Sequence, residues 1–266
     1  MLETIYNLED KMFKIFKKFI QYPRLTLKYP DQPLNTANIH GRPSISLNSC
    51  VSCGKCVASC PVEAIVFNSK NYPRIHLDKC IFCYTCAEVC PAFAIHITEE
   101  FELAEKNPLA LRGERELAEK ISRTSHELFG RSLQIREIDA GSCNGCDYEI
   151  NGLNNPFNDI ERFGIHFVAS PRHADMLLVT GPVTHNMTSA LLRTYEATPD
   201  PKLVVAVGAC ACSGGIFRDC YAVHKGVGSL LPIDIYIPGC PPRPQAILYG
   251  ILKALDRHPA KPIANT

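Results

Sequence analysis

The spacing of apolar and polar positions predicts an amphipathic helix at the start of the chain. Between residues 12 and 20, apolar side chains interleave with lysines so that the apolar ones gather on one side of a helix. Residues 1–30 carry six basic and three acidic side chains, and a basic amphipathic helix can lie on an anionic membrane surface. Docking on this protein or on a partner is the equal alternative. The prolines and the glycine of residues 23–41 predict an extended arm, so we assign residues 1–39 to helix and arm.

An internal repeat follows, in which two sequence frames recur with an offset of thirty residues. Pro-x-Ile-x-Leu-x-x-Cys occupies 43–50 and 73–80, and Cys-Pro-x-x-Ala-Ile occupies 60–65 and 90–95. Each copy has the pattern strand, cysteine loop, short helix, strand. Two such copies predict a small pseudo-symmetric α+β domain over residues 40–100. The alternation Ile75-His76-Leu77 and Ile95-His96-Ile97 predicts half-buried strands with both histidines on the solvent face.

The remaining chain predicts a linker and a second domain. Residues 101–130 are rich in charge, lack cysteine and favour a helix after Pro108, which indicates a charged helical linker. Residues 131–266 alternate apolar runs with helical segments, typical of a doubly wound (flavodoxin-like) α/β domain with a parallel sheet. The predicted strands are Leu133–Ile138, Ile165–Val168, Met176–Val179, Leu203–Val207 and Ile233–Ile237.

Composition restricts the class of protein further. The net charge is 28 − 27 = +1, which argues against nucleic acid as a partner. No apolar run approaches the ~18 residues of a membrane span, and the first ten residues do not have the pattern of a signal peptide. These features predict a cytoplasmic protein, in which structural disulfides are rare. The 14 cysteines are therefore interpreted as metal ligands.

Eight cysteines fall in the repeat, four in each copy. Each copy has the spacing Cys-x₂-Cys-x₂-Cys-x₃-Cys-Pro, which matches the run found in proteins with two [4Fe–4S] clusters, where the fourth cysteine binds the other cluster. The predicted ligand sets are set A, made of Cys50, Cys53, Cys56 and Cys90, and set B, made of Cys80, Cys83, Cys86 and Cys60.

Two alternatives compete with an electron relay in this segment. Structural zinc needs four ligands and usually pairs two distant Cys-x₂-Cys units, whereas here four cysteines lie within eleven residues, twice. The clusters could also be purely structural. Two adjacent clusters in one small domain favour electron transfer.

A second group of cysteines lies at strand ends in the α/β domain. Cys143 and Cys146 follow the first strand, Cys210 and Cys212 the fourth, and Cys240 the fifth. Ligand sites in such sheets form at the carboxyl ends of strands, so three loops supply enough thiolates for a third [4Fe–4S] cluster. No Gly-x-Gly-x-x-Gly follows a strand, so an NAD fingerprint is absent from the sequence.

These motifs resemble known redox subunits. Residues 20–100 look like the two-cluster ferredoxin-type subunit of respiratory complex I and its hydrogenase relatives. Residues 131–256 resemble the small subunit of membrane-bound, energy-converting [NiFe] hydrogenases and the homologous cluster-bearing subunit of complex I. The complex I subunit has two cysteines in tandem, whereas Cys143-Asn144-Gly145-Cys146 is spaced as in hydrogenases. The Gly208–Phe217 motif resembles that of hydrogenases coupled to formate or carbon monoxide oxidation.

The resemblance also implies a ligand set for the third cluster. The family pattern assigns the cysteine directly after Gly-Ala, Cys210, and leaves Cys212 and Cys220 as buried apolar fillers. Set C then comprises Cys143, Cys146, Cys210 and Cys240.

The function implied by the resemblance is that of an electron-transfer subunit with three [4Fe–4S] clusters, peripheral on the cytoplasmic face of the cell membrane. Its expected partners are a [NiFe] hydrogenase large subunit that holds the nickel–iron site, membrane-arm subunits, and an upstream donor: ferredoxin, formate dehydrogenase or carbon monoxide dehydrogenase. The alternative enzyme is a complex I-like quinone or sulfur oxidoreductase, and the alternative from another class is a scaffold without electron traffic.

Overall fold

The computed structural model describes residues 14–15, 17–18, 20–22, 25–36, 39–112 and 132–255. Helical conformation is present at 14–15, 17–18 and 20–21. Ile15 and Ile20 of the predicted apolar stripe are exposed, whereas its other members, Met12, Phe13, Phe16 and Phe19, lie outside the described residues. Within the described ranges, no helix has the length and apolarity that a membrane crossing requires.

The first domain contains the predicted repeat as two copies of strand, helix and strand. Copy 1 consists of β1 (Pro43–Ile45), α1 (Lys55–Ala58) and β2 (Ile65–Phe67), and copy 2 of β3 (Pro73–Ile75), α2 (Thr85–Glu88) and β4 (Ile95–Ile97). β1 pairs antiparallel with β4, and β2 with β3, so each two-stranded sheet takes one strand from each copy. Equivalent residues of the copies form the small core: Cys56 and Cys86, Ile65 and Ile95.

The two strand histidines have different environments. His96 is exposed, as predicted. The prediction for His76 is wrong, because its Nδ1 is buried without a hydrogen-bond partner and burial lowers its pKa.

The second domain is an α/β domain with a five-stranded parallel sheet. Its strands are β5 (Leu133–Asp139), β6 (Ile165–Phe167), β7 (Met176–Thr180), β8 (Leu203–Val207) and β9 (Ile235–Ile237). They lie in the order β6-β5-β7-β8-β9, which is the flavodoxin-like order. The α-helices are α4 (Gly145–Asn151), α5 (His185–Ala197), α6 (Gly208–Ser213) and α7 (Pro244–Ala254). Pro244 opens the last helix at N1, where its missing N–H costs no intrahelical hydrogen bond.

Burial on both faces explains the apolar runs of the central strands. All residues of β7 and β8 are buried, and their side chains alternate between two cores on opposite sides of the sheet. The carboxyl ends of β5, β8 and β9 are thereby held on a rigid base, and the cysteine loops of the second domain begin at these ends.

Two irregular segments connect the domains. In the arm, Tyr29 is buried and its hydroxyl donates to Glu102 at 2.8 Å, while the backbone N–H of Leu27 donates to the carbonyl of Phe157 at 2.8 Å. In residues 101–112, which we call the strap, Glu105 and Tyr236 exchange backbone hydrogen bonds of 3.0 and 2.8 Å.

The strap contains the predicted helix after Pro108 but is not helical before it. Of residues 101–112 only α3 (Pro108–Leu111) is helical, opened by the Asn107 side chain, which accepts from the Leu109 N–H at 2.9 Å. Leu103, Ala104 and Leu111 are buried, so this part packs against both domains. Residues 113–130 of the predicted linker lie outside the described residues.

Candidate iron–sulfur sites

The cysteine loops of the two copies have the same backbone conformation. Left-handed residues recur at an offset of thirty, as Ser52 with Phe82 and Gly54 with Tyr84. The turn directs the N–H of Ser52 to Sγ of Cys50, and that of Phe82 to Sγ of Cys80, each at 3.4 Å. Amides aimed at the sulfurs stabilise thiolates and tune the potential of an iron–sulfur cluster.

The fourth cysteine of each copy repeats this arrangement. The N–H of Ala64 lies 3.3 Å from Sγ of Cys60, and the N–H of Ala94 lies 3.3 Å from Sγ of Cys90. The prolines that follow these cysteines end the preceding helical turn, as expected for a residue without an N–H.

The first three cysteines of copy 1 meet the fourth cysteine of copy 2. One pocket is lined by all four members of set A, Cys50, Cys53, Cys56 and Cys90, together with apolar residues such as Ile45 and Ile95.

The converse arrangement is present in copy 2. Burial raises the pKa of Cys80 to about 12 and that of Cys86 to about 11, and the charge of Cys60 contributes to both shifts. Cys60 therefore lies within electrostatic range of Cys80 and Cys86 of the other copy, as crossed ligation requires.

Set C is assembled by three loops at the carboxyl end of the parallel sheet. Asn144, with a left-handed backbone, turns the chain from Cys143 into α4, which carries Cys146. Gly208 follows β8 with φ 88°, and a methyl group on it would lie 2.5 Å from Sγ of Cys146. A side chain at 208 would thus occupy the space beside the thiol, so glycine keeps this cradle open.

The thiols of set C destabilise one another's charged forms. Burial raises the pKa of Cys210 to about 11, with the charges of Cys240 and Cys143 as further causes. Burial likewise raises the pKa of Cys146, aided by Cys210. Four crowded thiolates need a positive centre, and soft sulfur ligands suit iron–sulfur clusters or zinc. The donor set therefore fits a [4Fe–4S] cluster. Within the described ranges, no group of three or more Cys, His, Asp or Glu is placed to hold one metal ion.

A carboxylate network that the sequence did not reveal lies beneath this loop. Asp147 accepts hydrogen bonds from Ser142 and, at 2.7 Å, from Thr180. Burial raises the pKa of Asp147, but hydrogen bonds from Ser142, Thr180 and Glu137 outweigh it, and the pKa is lowered. Burial and the neighbouring Asp147 raise the pKa of Glu137 to about 7. Glu137 lies in β5, and its place in the sequence does not distinguish it from a carboxylate on the solvent face of a strand. Its role becomes visible only from its contacts in the folded chain.

The two remaining cysteines behave differently from each other. Cys212 is buried, with its Sγ 3.7 Å from the carbonyl oxygens of Ala206 and Ile237, and it packs in the core. It is the buried filler that was predicted. The same prediction is wrong for Cys220, which is exposed, because it lies in the loop after Phe217 rather than on a core-facing strand or helix.

Sets B and C are neighbours. Burial raises the pKa of Cys240, and the charges of Cys143 and Cys83 raise it further. Cys83 belongs to set B and Cys240 to set C, so the charges of the two sets interact. Sets A and B meet in the interior of the first domain, where Cys56 and Cys86 share one core. The order along the molecule is therefore C, B, A, with set A at the far end. Sequence spacing alone did not give this order.

Two family models match the chain, one in each domain. Residues 44–97 match the 4Fe-4S dicluster domain, and residues 143–254 match the NADH ubiquinone oxidoreductase, 20 Kd subunit. [4Fe–4S] ligation in the first domain thus agrees with the cysteine spacing.

Curated relatives match about half of the chain. A probable membrane-bound hydrogenase subunit of Pyrococcus furiosus is 46% identical over 144 residues, which cover 54% of this chain and 86% of the relative. Formate hydrogenlyase subunit 7 of Escherichia coli is 53% identical over 125 residues, 47% of this chain and 49% of the relative. An NADH-quinone oxidoreductase subunit of Geobacter metallireducens is 52% identical over 112 residues, 42% of this chain and 65% of the relative.

The resemblance predicted from the cysteine loops is confirmed by these matches. The chain belongs to the family of oxidoreductase subunits that includes the 20 Kd subunit of NADH ubiquinone oxidoreductase and membrane-bound hydrogenase subunits, and it carries a 4Fe-4S dicluster domain in front of that family's domain.

Proposed function

We propose that the chain is the electron-transfer subunit of a membrane-associated [NiFe] hydrogenase complex. It relays electrons through three [4Fe–4S] clusters, in sets A, B and C, to or from a nickel–iron site on a partner large subunit. The observation that carries this proposal is the order of the three sets, because neighbouring sets approach through Cys56 and Cys86 and through Cys83 and Cys240. Three clusters with separate structural roles would not need to lie next to one another in this order.

The chain's own residues fix the clusters and tune them. Each cluster, when bound, supplies a site that gains and loses one electron. The N–H groups of Ser52, Phe82, Ala64 and Ala94 lie within 3.3–3.4 Å of thiol sulfurs and stabilise their negative charge. The apolar core of the first domain excludes water from the inner thiols, Cys56 and Cys86, which favours the less charged state of a cluster.

Set C lies beside a surface suited to the large subunit. Cys143 and Cys240 are exposed, and so are Tyr148 in α4 and Ile216 and Phe217 after α6. Exposed apolar side chains around a redox site are typical of a protein interface. Contact there would bring the nickel–iron site next to set C.

Peripheral attachment to the cytoplasmic face of the membrane, through membrane-arm subunits or the basic N-terminal helix, belongs to the same proposal. Lys14, Lys17 and Lys18 give the start of the chain the charge that anionic lipids attract. Electrons from the upstream donor enter at set A. Ferredoxin, formate dehydrogenase and carbon monoxide dehydrogenase are the candidates for this donor.

A complex I-like oxidoreductase without hydrogenase activity is the second candidate, favoured by the NADH-quinone oxidoreductase relative from Geobacter metallireducens. The sequence of the large subunit distinguishes the two candidates, since a nickel site needs two Cys-x₂-Cys motifs in that chain. In the present chain, the spacing Cys143-x₂-Cys146 favours the hydrogenase.

The test uses the complex purified with its large subunit and compares two cysteine variants of α6. In Cys210→Ala, hydrogen evolution from reduced methyl viologen should fall at least 100-fold, with loss of about four iron per chain. Cys212→Ala removes a buried thiol outside set C and should keep both. A wild-type complex that reduces quinone but evolves no hydrogen would support the second candidate instead.

A further inference from the structure

A group of donor atoms made of imidazoles rather than thiols lies on the surface of the second domain. Nδ1 of His185 lies 3.2 Å from Nε2 of His224, and the two rings meet edge to face with their centroids 4.6 Å apart. The hydroxyl oxygen of Thr188 lies 3.0 Å from the same Nε2. Three donor atoms from two segments of the chain therefore converge, and neither histidine belongs to sets A, B or C.

The hydrogen bonds of His185 determine which of its nitrogens has a lone pair for a metal ion. Its Nε2 lies 3.0 Å from the carbonyl oxygen of Tyr221. A carbonyl can only accept, so Nε2 carries the hydrogen and Nδ1 of the neutral ring presents its lone pair towards His224. Metal-binding histidines are typically oriented in this way, with the other ring nitrogen donating to a carbonyl or carboxylate.

Thr188 and His224 complete the arrangement. The Thr188 hydroxyl donates to the carbonyl of Thr184 at 3.1 Å, so its oxygen lone pairs are available on the side of His224. In the neutral pair, the Nε2–H group of His224 is shared between Thr188 and Nδ1 of His185. When His224 adopts the tautomer with its hydrogen on Nδ1, its Nε2 lone pair becomes available to a metal ion without loss of a proton.

The separation of the two nitrogens suits a shared metal ion. Nitrogens that lie about 2.0–2.1 Å from a tetrahedral zinc ion are about 3.3 Å apart, close to the 3.2 Å between His185 and His224. Imidazole is a good ligand for zinc and the neighbouring divalent ions. His185 is exposed and His224 is half-buried, so water can fill the remaining coordination positions.

The two histidines come from segments that the backbone already holds together. The N–H of His185, the first residue of α5, donates to the carbonyl of Ala222 at 2.9 Å, and the N–H of His224 donates to the carbonyl of Val183 at 2.9 Å. The imidazoles therefore lie at the contact between the start of α5 and loop 218–225, which follows α6 of set C.

We infer that His185 and His224 bind one divalent transition-metal ion of the zinc class, with Thr188 and water as the further ligands. The ion fastens loop 218–225 to the start of α5 and so adds a side-chain link to the backbone link. The inference goes beyond the proposed electron transfer and does not depend on it, because the ligands are imidazoles that none of the three cysteine sets uses.

Zinc titration of the full-length protein with its clusters tests the site. Zn²⁺ is added anaerobically in an isothermal titration calorimeter. Because this ion is colourless, the cluster absorbance remains a separate check that the clusters are intact. The variants are His185→Ala, His224→Ala and Thr188→Val. One control, His173→Ala, removes an exposed imidazole of the same domain, and a second, Cys220→Ser, removes the exposed thiol of loop 218–225.

We expect the wild type to bind one zinc ion at this pair. Either histidine variant should lose at least about 100-fold in affinity, since exchange of a residue behind a metal ligand already costs about 10–100-fold. Thr188→Val should weaken binding by about tenfold, and both controls should keep the wild-type affinity. Hydrogen exchange of the loop 218–225 amides should slow when zinc is added to the wild type, and it should not change in His224→Ala.

Three results would overturn the inference. The first is a wild-type protein that binds no zinc. The second is zinc binding that survives both His185→Ala and His224→Ala, or that is lost in Cys220→Ser, since a thiol or another site would then hold the ion. The third is binding that occurs only as the cluster absorbance bleaches, because the zinc would then occupy cluster cysteines rather than the imidazoles.

Discussion

The two copies of the first domain share a backbone but not an environment. Leu47 in copy 1 is 47% exposed, whereas its equivalent Leu77 in copy 2 is 7% exposed. Asn48 is exposed, whereas its equivalent Asp78 is 1% exposed and is bound by Arg112 of the strap at 2.7 Å. Copy 2 is therefore covered by the strap, and copy 1 is open to solvent.

This difference indicates how one motif provides two relay positions. The local conformation comes from the repeated sequence, since Ser52 and Phe82 adopt the same left-handed turn with unlike side chains. The position comes from what the strap covers: Leu77 packs with Leu103 and Leu111, which places set B towards the second domain. A repeat can thus become an inner and an outer site without any change in its ligand spacing.

The largest expected effect comes from exchanging the fourth cysteine of a copy. Crossed ligation predicts that Cys60→Ser removes the set B cluster and Cys90→Ser the set A cluster, each lowering iron from about twelve to about eight per chain. Electron paramagnetic resonance of the reduced variants distinguishes the two clusters. Damage by Cys60→Ser to set A alone would mean that each copy binds its own cluster.

Removal of the cation above copy 2 is expected to be the next largest effect. Arg112→Ala leaves the buried Asp78 carboxylate without its counter-ion, which typically costs about 3–5 kcal/mol. The thermal midpoint of cluster bleaching should fall by several degrees. Arg74→Ala, at an exposed position of copy 1, serves as the control and should change stability by no more than about 0.5 kcal/mol. Equal shifts would contradict the different environments of the copies.

The equivalent leucines give a direct comparison of packing. Leu77→Ala removes a buried side chain between the strap and copy 2 and should cost about 2–5 kcal/mol. Leu47→Ala changes an exposed side chain and should stay within about 0.5 kcal/mol. Denaturant midpoints followed by cluster absorbance measure both, and a Leu47→Ala loss as large as that of Leu77→Ala would show that copy 1 is covered as well.

The smallest effect is expected at the left-handed position before each helix. Copy 1 has Gly54, and copy 2 has Tyr84, whose hydroxyl donates to the carbonyl of Gly41 at 2.8 Å. Tyr84→Phe should cost about 0.5–1.5 kcal/mol by loss of this hydrogen bond and should leave iron content unchanged. Loss of a cluster in this variant would give Tyr84 a role in ligation geometry rather than in attachment of the arm.

Much of the fold was predictable because its signals are local. The offset of thirty located both copies, and buried apolar runs located all five parallel strands, with Leu203–Val207 matched at both ends. The packing of the strap against both domains was not predicted, because its charges are satisfied by distant residues, as Glu105 is by Lys253. Such pairing follows from the tertiary fold and leaves no local signature.

The candidate sites were also only partly predictable from the sequence. The cysteines could be chosen from their spacing and from strand ends, and the structure brings the predicted sets together. The order of the sets and the Glu137–Asp147 network could not be found in this way. Cys83 and Cys240 are far apart in sequence and come within electrostatic range only in the folded chain.

The most direct test of the three-cluster relay is a count of metal and sulfide in the anaerobically purified full-length protein. We expect about twelve iron and about twelve acid-labile sulfide per chain, with negligible zinc. The Cys143→Ala variant should contain about eight of each, because set C then lacks one of its four ligands. Zinc in place of iron, or eight iron in the wild type that Cys143→Ala does not lower further, would contradict the relay.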